Sequence, residues 1–254
     1  MPCCLTTIAQ QGFIVASIAA WHAEQMKIVV SADEQGVAEY GAQFMARRIR
    51  DAVKRRGAAA VAISGGSTPI PMLNRLATLD VPWKFVDLYQ VDERVAPDGH
   101  ADRNAALLAL LPLRAKQVHP LPVTAARLDA AAQRYGASLP AVFDVVHLGM
   151  GPDGHTASWF PGDEATFLQA QPVVATAVFN GRNRMTLTPL AVNAARSRLM
   201  EIVGEDKAPM VARWLLHDST LPVEHVRRTN TTVLLDAGAA RDLPEAQASG
   251  GAKR

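Results

Sequence analysis

Short β-rich apolar runs alternate with amphipathic stretches from Met26 onward, and this alternation restricts the fold more than any other feature of the chain. KIVVS (27–31), AAAVAIS (58–64), FVDLYQVD (85–92), VFDVVHLG (142–149), VVATAVF (173–179), RMTLT (184–188), RLMEIVG (198–204) and TTVLLD (231–236) read as strands. After the first, Val37, Phe44, Met45, Ala52 and Val53 fall on one helical stripe that runs to about Arg56. PIPMLNRLATL, with proline near its first turn, reads as the next helix. Further helices are expected at about 104–111, 125–138, 189–196, 206–216 and 237–242. The pattern predicts a single α/β domain, its mostly parallel sheet flanked by helices on both faces in a Rossmann-like arrangement.

A chain of 254 residues is long enough to bury such a core, and no repeat or low-complexity linker divides it. The domain is expected over residues 26–243. Residues 1–25 read as a disordered leader or the product of a start codon set too far upstream, and 244–254, PEAQASGGAKR, as an unfolded tail. FIVASIAAWHA resembles the apolar part of a signal peptide, but no Lys or Arg precedes it. No apolar run reaches the roughly 18 residues that span a bilayer. A net charge of +2 supplies no field for nucleic acid or an anionic membrane, so neither is expected as a partner. The basic run RRIRDAVKRR carries Ile49 and Val53 at helical spacing and reads as a solvated helix face. The only cysteines, Cys3 and Cys4, are adjacent, form no zinc pattern and fit a reducing cytoplasm.

In open α/β sheets ligands bind outside the carboxyl ends of the strands. The polar and glycine-rich motifs fall at those ends: Ser64–Thr68, Asp92–Arg94, and Gly149 through His155. In SGGSTP, Gly65 and Gly66 allow a sharp turn that exposes backbone N–H groups at a helix N-terminus, and Ser67 and Thr68 add hydroxyls. That is either a phosphate cradle or a plain N-cap followed by proline. The Lys of a Walker loop is absent, which favours a small phosphorylated metabolite over a nucleotide.

Gly149, Gly151 and Gly154 match G-x-G-x-x-G. A dinucleotide turn should open a long helix and be followed by an acidic residue at the end of the next strand. Pro161 allows only a short helical turn, and PVVATAVF carries no acid, so a nicotinamide cofactor is excluded. What remains is Asp153-Gly154-His155. His155 is a candidate general base beside a carboxylate, with a capping Asp and a hydrogen-bonded His as the alternative. His147, inside a strand, reads as a satisfied core histidine. Asp92 and Arg94 read by default as a structural ion pair. Arg184 and Lys207, singly surface charges, stand where each could clamp a phosphate.

Taken together and in order, SGGSTP, VDERVAPDGHADRN, FDVVHLGMGPDGHTASWFP, RMTLT and GEDKA resemble the 6-phosphogluconolactonase family. Its wider superfamily includes glucosamine-6-phosphate deaminases and ribose-5-phosphate isomerases. The resemblance covers roughly Met26 to Leu243. It implies a catalytic domain that hydrolyses 6-phospho-D-glucono-1,5-lactone to 6-phosphogluconate in the oxidative pentose phosphate pathway, without metal or cofactor, as a monomer or homodimer. By motif position His155 would activate water, with Asp153 beside it. Gly65, Gly66, Ser67, Thr68, Arg184 and Lys207 would grip the 6-phosphate, and Asp92 and Arg94 would lie near the substrate.

The chain departs from the family pattern at Arg103-Asn104, commonly Ser-Asn, and at Trp159, commonly Leu. NGRNR before MTLT is less proline-rich than usual, so Arg182 competes with Arg184 for the clamp. Ser158 lacks the elbow motif of a serine nucleophile. Deaminases of the superfamily tend to follow the histidine with an Asn-Glu pair, whereas Thr156–Pro161 contains no acid. A sugar-phosphate sensor would need a DNA-binding segment, for which the residues before Met26 are too few and insufficiently basic.

Overall fold

The computed structural model describes residues 4–10, 13–19 and 26–244. Its strands are β1 (Cys4–Gln10), β2 (Phe13–Ala19), β3 (Lys27–Val30), β4 (Ala59–Ile63), β5 (Val86–Gln90), β6 (Asp92–Arg94), β7 (Val118–His119), β8 (Val145–Leu148), β9 (Val173–Ala175), β10 (Arg184–Leu187), β11 (Arg198–Ile202) and β12 (Thr231–Leu235). The α-helices are α1 (Glu34–Arg56), α2 (Pro69–Ala77), α3 (Leu128–Ser138), α4 (Glu164–Phe167), α5 (Pro189–Ala194), α6 (Ala208–Leu215) and α7 (Ala237–Ala240).

Among the described residues, nine strands form the main sheet in the order β1-β2-β3-β12-β11-β8-β4-β5-β7. From β3 to β7 every neighbouring pair is parallel. Such a sheet is buried on both faces, which is why its strands read as continuous apolar runs. One face packs Phe44, Met45 and Ile49 of α1 with Met72, Leu73 and Leu76 of α2. The other packs Val192 of α5, Val211 and Trp214 of α6 and Ala239 of α7. Helix α1 starts where the Asp33 side chain accepts from the Gly36 N–H at 2.8 Å, and ends at Gly57, left-handed at φ 81°. Its basic residues Arg47, Arg48, Arg50, Lys54, Arg55 and Arg56 are exposed around buried Ile49, as expected of a solvated face.

Three differences from the sequence reading have physical causes. Residues 4–10 and 13–19, within the stretch expected to be a disordered leader or the product of a start codon set too far upstream, form an antiparallel hairpin whose second strand pairs antiparallel with β3. Phe13–Ala19, the described part of the run read as signal-like, supplies strand backbone along the β3 edge of the sheet. RMTLT and the start of VVATAVF do not join the parallel sheet but build a separate three-stranded sheet, β6-β10-β9. Val91 is the hinge: its N–H donates to the Ile63 carbonyl at 2.9 Å, while its own carbonyl accepts from Leu187 N–H at 2.8 Å. The expected helix at 104–111 is a 3₁₀ turn over Asn104–Leu110. The tail beyond residue 244 lies outside the described residues, as do residues 1–3, 11–12 and 20–25.

The order in which successive strands are added reverses between the parallel neighbours β4 and β8. From β4 the path runs outward through β5 and β7, and from β8 it runs the other way through β11 and β12. The crevice at that switch point is where a ligand fits in such a fold.

Candidate active site

A cleft of about 220 Å³ opens at this switch point. Gly65, Gly66, Ser67, Thr68, Asp92, Arg94, His155, Arg184 and Lys207 all line it, contributed by five separate segments of the chain. Asp153 is outside the lining and reaches the site through His155.

The loop after β4 is shaped by two glycines. Gly66 is left-handed, at φ 97°. Gly65 is open to no side chain, because a Cβ there would stand 1.9 Å from the Asn104 amide carbon. Helix α2 begins directly after, with Pro69 in its first turn, and the Thr68 side chain makes no capping hydrogen bond. Pro69 and Pro71 carry no N–H, and the Ile70 N–H donates to the Ser67 carbonyl at 3.1 Å, so the loop residues Ser64 to Thr68, and not N–H groups of the first turn of α2, form this wall of the cleft.

The loop after β8 carries the imidazole. His155 Nδ1 and Asp153 Oδ1 are 2.5 Å apart, and the same oxygen accepts from the His155 backbone N–H at 3.2 Å. Burial works against the charge on Asp153, but the hydrogen bonds and charge of His155 outweigh it and hold the carboxyl below its usual range. The ring is 26% exposed, so it is accessible from the cleft. Gly151 is obligatory here, since a Cβ would sit 2.2 Å from His155 Nδ1 and Cε1. Ala157, which also lines the cleft, is held at φ 52° between Thr156 and Ser158. Thr156 anchors this turn by donating to the Gly149 carbonyl at 2.7 Å. A strained non-glycine residue of this kind is characteristic of functional loops.

The charged residues sort differently from the sequence reading. Asp92 and Arg94 do not serve chiefly each other. Asp92 Oδ2 accepts from Ser158 Oγ at 2.6 Å and lies 4.0 Å from Arg184 Nη1. Arg94 Nη1 donates to the Asp102 carbonyl and to Asn104 Oδ1, at 2.9 and 2.8 Å. Arg184 lines the cleft, and burial pulls its guanidinium below the ordinary value against the opposing pull of Asp92. Arg182 is engaged elsewhere, donating to Asp102 Oδ2 at 2.7 Å, and is absent from the lining. Lys207 donates to Asp206 at 2.6 Å from the turn that precedes α6. Ser158 is wholly buried and committed to Asp92, which suits an organiser and not a nucleophile.

Other residues at the site escaped sequence reasoning. Buried Glu93 accepts from the backbone N–H groups of Arg94, Asn104 and Ala105 and from Gln90 Nε2, all at 2.7–2.8 Å. Arg103, the departure from the family pattern, places Nε 3.1 Å from this carboxylate. His147 is buried as expected, but its Nε2 pairs at 2.8 Å with Glu201 Oε2, and both residues belong to the cleft lining. Its Nδ1 has no hydrogen-bond partner among the described residues.

Among the described residues, no helix is long and apolar enough to cross a membrane. The sequence model of the family described as glucosamine-6-phosphate isomerases/6-phosphogluconolactonase matches residues 32–235. A 6-phosphogluconolactonase from Nostoc sp. is 30% identical over 235 residues, covering 85% of this chain and 98% of that protein. Another, from Pseudomonas putida, is 35% identical over 218 residues, covering 76% of this chain and 90% of that protein. Among solved structures, a 6-phosphogluconolactonase from Shewanella baltica superimposes with a TM-score of 0.76 at 29% identity, covering 83% of this chain and 97% of that one. The fold, the motifs at its strand ends and these matches agree: the chain belongs to the 6-phosphogluconolactonase family of enzymes.

Proposed function

We propose that the chain hydrolyses 6-phospho-D-glucono-1,5-lactone to 6-phospho-D-gluconate, in the cytoplasm and within the oxidative pentose phosphate pathway, with His155 as the base. The observation that carries this reading is the 2.5 Å contact between Asp153 Oδ1 and His155 Nδ1 beside the cleft. Asp153 fixes the ring and its tautomer, which leaves Nε2 as the nitrogen for proton transfer.

In the reaction, His155 takes a proton from water as the water oxygen attacks C1 of the lactone. The tetrahedral intermediate collapses by breaking the bond from C1 to the ring oxygen, and that oxygen receives the proton from His155. Atoms balance with water as the only co-substrate. A lactone is an activated ester, so general-base help of about 10²- to 10⁴-fold is a sufficient contribution from the side chain. The 6-phosphate lies remote from the reacting carbon. Its binding by the Ser67–Thr68 loop, Arg184 and Lys207 supplies orientation. Asp92 and Arg94 complete the polar wall near the sugar.

The test is lactone hydrolysis by the wild type and by His155→Ala, each against the spontaneous background, with the lactone generated in situ. Ammonia release from glucosamine 6-phosphate is followed in parallel. The proposal requires acceleration by the wild type and a fall towards background in the folded variant. Ammonia release without lactone hydrolysis would assign the other reaction of the family, and silence on both would leave a binding protein.

A further inference from the structure

Phe179 stands outside the cleft lining yet touches the surroundings of both of its principal groups. It stacks on Phe160 with centroids 3.7 Å apart and planes 9° from parallel. The His155 ring lies 5.5 Å from Phe160 and 6.1 Å from Phe179. The Arg184 guanidinium carbon lies 5.3 and 5.9 Å from the same two centroids. Near-equal distances to two rings stacked this closely put the imidazole and the guanidinium beside the pair and not over a face. A cation gains its electrostatic attraction over the face of a ring, so little of it operates here. What the pair supplies is shape: an apolar shelf that limits where His155 and Arg184 sit.

The shelf is held by a tight hairpin turn. Phe179 and Arg182 exchange backbone hydrogen bonds at 2.9 and 3.3 Å around Asn180 and Gly181. Both central residues are left-handed, at φ 48° and 77°, the requirement of a type I′ turn. Asn183 closes the strand arms by donating to the Thr176 carbonyl at 2.9 Å. Phe160, by contrast, comes from the loop that carries His155 itself. The aromatic pair thus locks the β9–β10 hairpin, which bears Arg184, to the loop that bears the base.

We infer that Phe179 is a positioning residue that holds His155 and Arg184 in mutual register through the volume it fills against Phe160. The inference rests on the reading of His155 and Arg184 given under the proposed function.

The experiment compares Phe179→Ala, Phe179→Leu and wild type in lactone hydrolysis, together with calorimetric titration by 6-phosphogluconate. Phe179→Ala should raise KM and weaken 6-phosphogluconate binding by about 5- to 20-fold, with a fall in kcat of similar size. Phe179→Leu, which restores volume without a π-system, should recover most of both. Unchanged KM and binding in a folded Phe179→Ala, or a Phe179→Leu as impaired as Phe179→Ala, overturns the inference. Because Phe179 is only half-buried at a hairpin tip, truncation there is tolerated by the core. Should the alanine variant fail to fold, Gly181→Val decides: it spoils the left-handed turn, and unaltered binding in that variant overturns the inference equally. A wild type that binds 6-phosphogluconate without hydrolysing the lactone would refute the proposed reaction, while the binding comparison would still judge Phe179.

Discussion

Asn104 occupies the space that a side chain at Gly65 would need. The missing Cβ would lie 1.9 Å from its Cγ and Oδ1. Asn104 is itself fixed, donating from Nδ2 to the Asp92 carbonyl at 3.0 Å and from its backbone N–H to Glu93 at 2.7 Å. Gly65→Ala is therefore expected to push the Ser64–Thr68 loop away and raise KM by about tenfold, with a stability loss of about 1–3 kcal/mol from overpacking. Adding Asn104→Gly should relieve the stability loss without restoring KM, because Arg94 then loses its Oδ1 acceptor. Thermal unfolding and steady-state kinetics on the wild type and both variants check this; an unaffected Gly65→Ala would refute the close packing.

Replacing Asp153 by Asn should cost at least about tenfold in kcat, since the amide no longer enforces the productive tautomer of His155. It should also change how stability depends on pH. The folded-state carboxyl is held below its ordinary value, so it stabilises the fold above its unfolded pKa of about 3.9 and loses that contribution as pH falls through the folded value. The difference in Tm between wild type and Asp153→Asn should be present at about pH 7 and shrink below about pH 4. A difference that grows on acidification would contradict the sign.

The two arginines of NGRNR should separate cleanly. Arg184→Gln removes a cation from the cleft and should raise KM by about 10- to 100-fold, with Arg184→Lys recovering only part, because a flexible ammonium does not reproduce a planar fork. Arg182 is tied to Asp102, and Arg182→Gln should leave KM within about threefold of wild type, in keeping with a half-exposed ion pair. Initial-rate kinetics are enough; a larger KM effect at Arg182 would reassign the clamp.

His147 and Glu201 should behave as one unit. Each is 1% exposed, and Glu201→Leu alone leaves a buried imidazole N–H without an acceptor, at a cost of about 1–3 kcal/mol. The double variant His147→Leu/Glu201→Leu should recover most of that loss, as apolar replacements of buried polar pairs often do. A double-mutant cycle by denaturant unfolding measures the coupling, and strictly additive losses would count against it.

How much of this was open to a reader of the sequence depends on range along the chain. The alternation of runs such as AAAVAIS and TTVLLD announced the parallel sheet, and strand-end position announced Ser64–Thr68 and Gly149–His155 as neighbours in space. Pairings between distant positions left no local trace. His147 meets Glu201 across 54 residues, and Ser158 meets Asp92 across 66. The small sheet was misassigned because RMTLT has the composition of any buried strand, and only the turn at Val91 diverts its pairing. The aromatic shelf did leave a signal: Asn180-Gly181 is the dipeptide a type I′ turn favours, and it marks the hairpin that carries Phe179.

The reversal of strand order between β4 and β8 has a consequence for how activity arises during folding. The Ser64–Thr68 loop comes from the segment that winds outward in one direction, and His155 and Lys207 come from the segment that winds in the other. Neither half alone owns a complete cleft. Catalysis during refolding should accordingly lag behind the appearance of helices and report the joining of β8 to β4, making turnover a sensor of that long-range docking event.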